Sequence, residues 1–102
     1  MRIICLFNLK PGVSVSEYED WAKTRDIPTV NALGSVTGFT VHKATGVFGD
    51  DSATPAYQYI EVIDITGMDA FVGDISTEAF QQAAAPFQGF ADAPQFILTE
   101  DV

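Results

Sequence analysis

Residues Arg2–Leu33 read RIICLFNLKPGVSVSEYEDWAKTRDIPTVNAL, and this stretch decides the fold. RIICLFNL, Arg2–Leu9, is rich in β-formers and stops at the turn signal KPG, Lys10–Gly12. Ser14 with Glu17 three residues on makes a capping box, so a helix starts there and runs through YEDWAKTRD. Pro28 is expected to break or kink that helix near Asp26–Ile27, because the residue before proline avoids the α region. A short second helical piece, TVNAL, then ends at Gly34.

Successive strand residues point to opposite faces. Ile4, Leu6 and Asn8 therefore share one side of the first strand, and Ile3, Cys5, Phe7 and Leu9 share the other. Both sides are apolar, so both faces of the sheet need cover.

The rest of the chain completes the pattern. SVTGFTVHKATG, Ser35–Gly46, reads as a second strand, and VFGDDSATPA, Val47–Ala56, as a polar loop. YQYIEVIDI, Tyr57–Ile65, is the third strand. Thr66 with Asp69 suggests another capping box, opening a short helix through MDAFVGDI. Thr77 caps EAFQQAAAPFQGFA, which Pro86 should kink; Phe80, Ala84, Phe87 and Ala91 fall on one face. PQFILTEDV is the last strand. No repeat, low-complexity tract or linker interrupts residues 1–102, so one domain is expected. The order β-α-β-β-α-β folds into a four-stranded antiparallel sheet with helices on one face, the ferredoxin-like α+β sandwich. The chain has no spare element for the second face. A second copy packed sheet to sheet as a two-fold homodimer covers it; the alternative is a monomer with an exposed apolar patch.

Charge narrows the function. Five basic against fourteen acidic residues give a formal net charge of −9. That opposes binding to nucleic acid and to an anionic membrane surface. Cys5 is the only cysteine, so neither a disulfide framework nor a cysteine metal site is expected. No signal-peptide pattern or membrane-length apolar run is present, and a cytoplasmic location is expected.

Candidate site residues are the polar groups that interrupt apolar surfaces. On a helical wheel Arg25 continues the stripe of Tyr18, Trp21 and Ala22, with Asp26 at its edge. An unpaired buried guanidinium is costly, so Arg25 is expected either to face a ligand pocket or to snorkel or pair with an acid such as Asp26 or Glu61. His42, the lone histidine, is the natural acid or base near neutral pH, unless it is merely an edge-strand residue facing solvent. Glu61 shares a face of the third strand with Tyr57 and Tyr59. A carboxylate there is a candidate general base with a raised pKa, or else an interface residue or a partner for Arg25. Asn8 either orients a ligand carbonyl or starts the turn. No phosphate loop, metal-ligand set or nucleophile elbow appears. Catalysis here is expected to need no cofactor.

The β-α-β-β-α-β order, the doubly apolar sheet and FADAPQFILTE resemble the dimeric α+β barrel superfamily. More narrowly, LFNLKPGVS…YEDWA…RDIPTV resembles the RedY/HapK-like family, linked to pigment and indole-alkaloid biosynthesis. The resemblance covers the whole chain. It implies a small homodimer with a ligand cavity in each subunit, and it places Arg25 and Asp26 at that cavity. Three functions follow as expectations. The first is a cofactor-free cyclase or condensation catalyst for a pyrrole or indole intermediate. In it Tyr18, Trp21, Asp26, Tyr57, Tyr59 and Asn8 hold the ligand, and Arg25, His42 and Glu61 do the chemistry. The second is a cofactor-independent monooxygenase. The third is a non-catalytic binder of a hydrophobic intermediate.

Overall fold

A computed structural model describes residues 1–102. Strand β1 (Arg2–Leu9) leads into helix α1 (Val15–Trp21), a π-helical turn (Ala22–Asp26) and α2 (Ile27–Asn31). Strands β2 (Val36–Lys43) and β3 (Tyr59–Ile65) follow, then α3 (Met68–Ile75), α4 (Glu78–Ala84), α5 (Pro86–Phe90) and β4 (Ala91–Leu98). The sheet order is β2-β3-β1-β4, with every neighbouring pair antiparallel. This is the ferredoxin-like arrangement, with β1 and β3 at the centre.

Burial separates the two faces of β1 and β3. Ile3, Cys5, Phe7 and Leu9 are buried beneath the helices, as are Tyr59, Glu61, Ile63 and Ile65. Ile4, Leu6, Ile60 and Val62 lie on the other face and are only half-buried. One core cluster surrounds Phe7, Tyr18 and Tyr59; Phe7 stacks on Tyr59 with ring centroids 5.4 Å apart and meets Tyr18 edge-on at 5.6 Å. A second surrounds Ile3, Phe39 and Ile63. Glu61 sits on the same strand face between Tyr59 and Ile63.

Side-chain amides finish backbone pairing at the sheet margins. Asn31 of α2 donates to the Phe39 carbonyl at 3.0 Å and accepts from the Phe39 N–H at 2.9 Å. It thereby covers part of the outer edge of β2, where unpaired backbone would otherwise be open. Asn8 donates to the Ala56 carbonyl and accepts from the Gln58 N–H, and the Gln58 side chain accepts from the Leu9 N–H at 2.6 Å.

Ser14 and Thr77 cap α1 and α4 through their hydroxyls. Four details depart from the sequence reading. The break or kink expected near Asp26–Ile27 takes the form of an irregular turn inside a continuing helix. A proline ring clashes with the carbonyl four residues back and brings no N–H. The chain absorbs this by widening one turn, with the Ile27 N–H bonded to the Ala22 carbonyl five residues earlier, and Pro28 sits in the first turn of α2. Thr66 does not cap α3: its N–H extends the sheet by bonding the Ser35 carbonyl, and Gly67 takes the cap position with no side-chain bond. Strand β3 begins at Tyr59, two residues later than expected, because Asn8 and Gln58 handle the preceding segment. Strand β4 begins at Ala91, three residues earlier than Pro94, because a bulge lets Pro94 sit inside it.

Candidate active site

The helices α3, α4 and α5 bury none of their residues. They roof the sheet without closing onto it, leaving a cavity of about 500 Å³. Ile3, Phe39 and Ile63 form its floor, Phe71, Phe80 and Phe87 its roof, and Pro94, Phe96 and Leu98 of β4 one flank. The face of Phe80, Ala84 and Phe87 seen in the sequence is the roof's inner surface. Thirteen of the seventeen lining residues are hydrophobic, so each charged group among them stands out. There are two: Asp26 and Glu61.

Two local features bring these carboxylates together. Glu61 lies opposite Cys5 in the β1–β3 ladder, so alternation points both inward. Asp26 arrives through the π turn. In a straight helix Arg25 would follow Tyr18 and Trp21 on the apolar side. One extra residue in the turn moves the inward position on by one. Tyr18, Ala22, Asp26 and Val30, at steps of four, are therefore the buried residues, and Arg25 is exposed. The expected position of Arg25 on the buried stripe is thus corrected, and the cause is the widened turn.

Neither carboxylate meets a cation. The ion pairs are Arg2–Asp64 at 2.8 Å and Lys43–Glu19 at 3.1 Å, both outside this cavity. Glu61 is 3% exposed, and its Oε2 has no hydrogen-bond partner. Burial, and then the charge of Asp26, push the Glu61 pKa up to about 8, against a smaller opposing effect of the Cys5 thiol. Burial raises Asp26 to about 6. Two carboxyls whose pKa values burial raises thus share one apolar space, and Glu61 is raised the further because the charge of Asp26 adds to its burial. Tyr18 is fully buried with its hydroxyl unpartnered, and burial followed by the Glu61 and Asp26 charges raises its pKa.

The other candidates lie apart from this pair. His42 faces Ile60 across the β2–β3 ladder, while Val41 faces Glu61. His42 is therefore on the opposite face of the sheet, exposed, with Nε2 2.9 Å from the Thr40 hydroxyl. Asn8 is held by backbone groups on that same face. Tyr57 precedes β3 and is half-buried. Trp21 packs on Tyr18 and Phe90, outside the large cavity. Tyr59 donates a 2.6 Å hydrogen bond to Glu19, and with Tyr18 it lines a separate cavity of about 170 Å³. The sequence reading did not single out Cys5 as a neighbour of Glu61, although strict alternation along both strands carries that signal.

Comparison with known proteins agrees with this architecture. The family model described as REDY-like protein HapK matches residues 1–102. The crystal structure of HapK from Hahella chejuensis is similar at a TM-score of 0.73 and 28% identity, covering 100% of this chain and 95% of that one. A dimeric ferredoxin-like protein from Thermobifida fusca aligns at a TM-score of 0.67 and 18% identity, over 94% and 85% of the two chains. SnoaB from Streptomyces nogalater, a cofactor-independent oxygenase, aligns at a TM-score of 0.68 and 12% identity, over 99% and 93%. The last two likenesses concern the fold alone: the ferredoxin-like subunit of dimeric α+β barrels. No curated protein matches the sequence. No helix is long and apolar enough to cross a membrane.

Proposed function

The chain belongs to the REDY-like HapK family, and from that premise we propose that it is a cofactor-free acid–base catalyst of cyclisation or condensation. Its substrate is a small aromatic intermediate of the pyrrole or indole type, held in the cavity between the sheet and α3–α5. The observation that carries this reading is the Asp26–Glu61 pair, two raised carboxylates without a cation in an apolar space.

Ring closure and condensation need one proton removed from the nucleophilic atom and another delivered to the oxygen or nitrogen that accepts the displaced electron pair. A protonated Glu61 supplies the second, and an ionised Asp26 accepts the first. The aromatic walls exclude water and hold the reacting ring systems against each other. Arg25 and His42 stand outside this scheme because neither lines the cavity. The outer sheet face, with Ile4, Leu6, Ile60 and Val62, packs in this proposal against a second copy, as the dimeric description of the Thermobifida fusca protein supports.

The test is turnover. Pyrrole and indole intermediates incubated with the protein and followed by mass spectrometry should give a cyclised or condensed product. Glu61→Gln should slow its formation by roughly 100-fold or more, within the usual range for loss of a general acid–base group. Glu61→Gln turning over as fast as the parent overturns the scheme. Tight binding without product under any condition makes the protein a carrier of a hydrophobic intermediate.

A further inference from the structure

The charged groups around the cavity are all of one sign. Of the five Lys and Arg residues, Arg2, Lys10, Lys23, Arg25 and Lys43, none lines it, and neither does His42. The only other side chain able to hydrogen-bond there is the Gln88 amide. Glu61 Oε2 is buried and unpartnered, and Glu61 lines the cavity together with Asp26. A buried carboxyl oxygen left unmatched is costly, and a ligand that donates a hydrogen bond to it removes that cost. A ligand that brings a second anion meets like charge in a poorly solvated space.

We propose that the cavity selects its ligand by charge and hydrogen-bond sense: it takes aromatic heterocycles that are neutral N–H donors or cationic at nitrogen, and it excludes carboxylates of the same size. This rests on the reading of that cavity as the substrate site and names the substrate class. The N–H or N⁺–H points at Glu61 and Asp26, and the rings lie among Phe71, Phe80 and Phe87. An acidic intermediate must therefore lose its carboxylate, or carry it outside the cavity mouth, before it fits. Where the carboxylate cannot lie outside the mouth, the reaction that supplies the substrate is of a class that removes or masks an acid, such as a decarboxylation or an amide-forming step.

The test uses two pairs of bicyclic probes, each pair matched in shape: indole with benzofuran, and tryptamine with indole-3-acetate, each titrated by calorimetry into the whole protein at pH 7. Tryptamine and indole should bind, and indole-3-acetate should bind on the order of a hundredfold more weakly than tryptamine. Benzofuran, which lacks the N–H, should bind roughly tenfold more weakly than indole. Ala84→Trp, which puts a large ring into the cavity between Phe80 and Phe87, should weaken binding of all four by roughly tenfold or more. The double variant Asp26→Asn with Glu61→Gln should bring indole-3-acetate and tryptamine to within about threefold of each other by removing the like-charge interaction. Indole-3-acetate binding as tightly as tryptamine overturns the inference. So does failure of both indole and tryptamine to bind at millimolar concentration, or binding that is unchanged by Ala84→Trp. Because these are binding measurements, charge selection without turnover would count against the catalytic proposal alone, and turnover without charge selection against this inference alone.

Discussion

Asp26 on the π turn and Glu61 on β3 line one cavity, and the charge of the first adds to the burial that raises the second. This pair makes stability depend on pH in a defined direction. The Glu61 pKa is higher in the folded chain, about 8, than its ordinary 4.5. The folded state then holds the proton where the unfolded state has lost it, so stability falls as pH rises from about 4.5 through 8. Asp26 acts the same way between about 4 and 6. Asp64, Asp74 and Glu19 are lowered by their hydrogen-bond partners, and that stability disappears only on acidification. The melting temperature should therefore peak in mildly acid buffer and decline toward pH 8.5. Glu61→Gln should flatten the decline, gaining on the order of 2–4 kcal/mol at pH 8.5. Thermal melts of both proteins across this range give the answer, and parallel curves would contradict the buried-carboxylate account.

Asp26→Asn removes the charge beside Glu61 while keeping a side chain of the same shape. Glu61 should then ionise at lower pH, because one of the two causes of its shift is gone. The alkaline limb of the melting profile, and of any pH–rate profile, should move toward neutrality. An unmoved limb would mean that the two groups do not sense each other.

Tyr18 and Tyr59 touch, with ring centroids 4.8 Å apart, yet their hydroxyls have opposite fates. The Tyr59 hydroxyl bonds to Glu19, and the Tyr18 hydroxyl is buried without a partner. Tyr59→Phe should cost about 1.5–3 kcal/mol, the scale of a hydrogen bond to a charged group. Tyr18→Phe keeps the ring packing and removes an unmatched polar atom, so it should be neutral or stabilising by up to about 1 kcal/mol. Denaturant unfolding of the two variants side by side measures the contrast.

The legible parts of the sequence were those governed by strict periods. Alternation in RIICLFNL and YIEVIDI gives the two sheet faces and groups Glu61 with Tyr59, Ile63 and Ile65, but since both faces are apolar it does not say which of them lies under the helices. The element order gives the topology. Single-residue irregularities were not legible, the bulge at Ala93 in β4 among them. The π turn moves Asp26 inward and Arg25 outward, and an ideal wheel cannot contain it; Pro28 marks the place but not the remedy. On β2 the ladder shifts between Val36 and Gly38; continued without that shift it would set His42 opposite Tyr59, on the face of Glu61, and the shifted register sets it opposite Ile60 on the other face. Face assignment in a strand depends on parity, so a one-residue shift is enough to separate two candidate catalytic groups. The cavity itself has no local signal, because it comes from how loosely α3–α5 sit over the sheet.

The outer face makes a prediction about assembly. Ile4 stands opposite Val62 in the ladder, at the centre of that face. Light scattering at micromolar concentration should give twice the 11.0 kDa chain mass. Val62→Glu would place a charge at the middle of the sheet-to-sheet contact without touching the cavity, and should return the chain mass. A parent protein that is already monomeric removes the sheet-to-sheet dimer.

Ala93 tests the bulge that shapes the cavity flank. Its φ is 45°, in the left-handed region, and it is the only non-glycine residue with positive φ. It lies where the β1–β4 register shifts between Leu6 and Asn8. Ala91 pairs with Leu9 on the inner face, yet Pro94, an odd number of residues later, also lines the cavity with Phe96 and Leu98. Only an extra residue reconciles those positions, and Ala93 provides it in a conformation that costs an L-residue about 1–2 kcal/mol. Glycine adopts that backbone without the penalty but adds freedom to the unfolded chain, worth about 0.4–1 kcal/mol. Ala93→Gly should therefore be neutral or stabilise by up to about 1 kcal/mol. Ala93→Val, whose branched side chain tolerates positive φ least, should destabilise by about 1–2 kcal/mol or more. Chemical denaturation of the three proteins orders them, with glycine at least as stable as alanine and valine last. Valine matching alanine would show that β4 enters the sheet without this bulge, and the cavity flank formed by Pro94, Phe96 and Leu98 would then have to be redrawn.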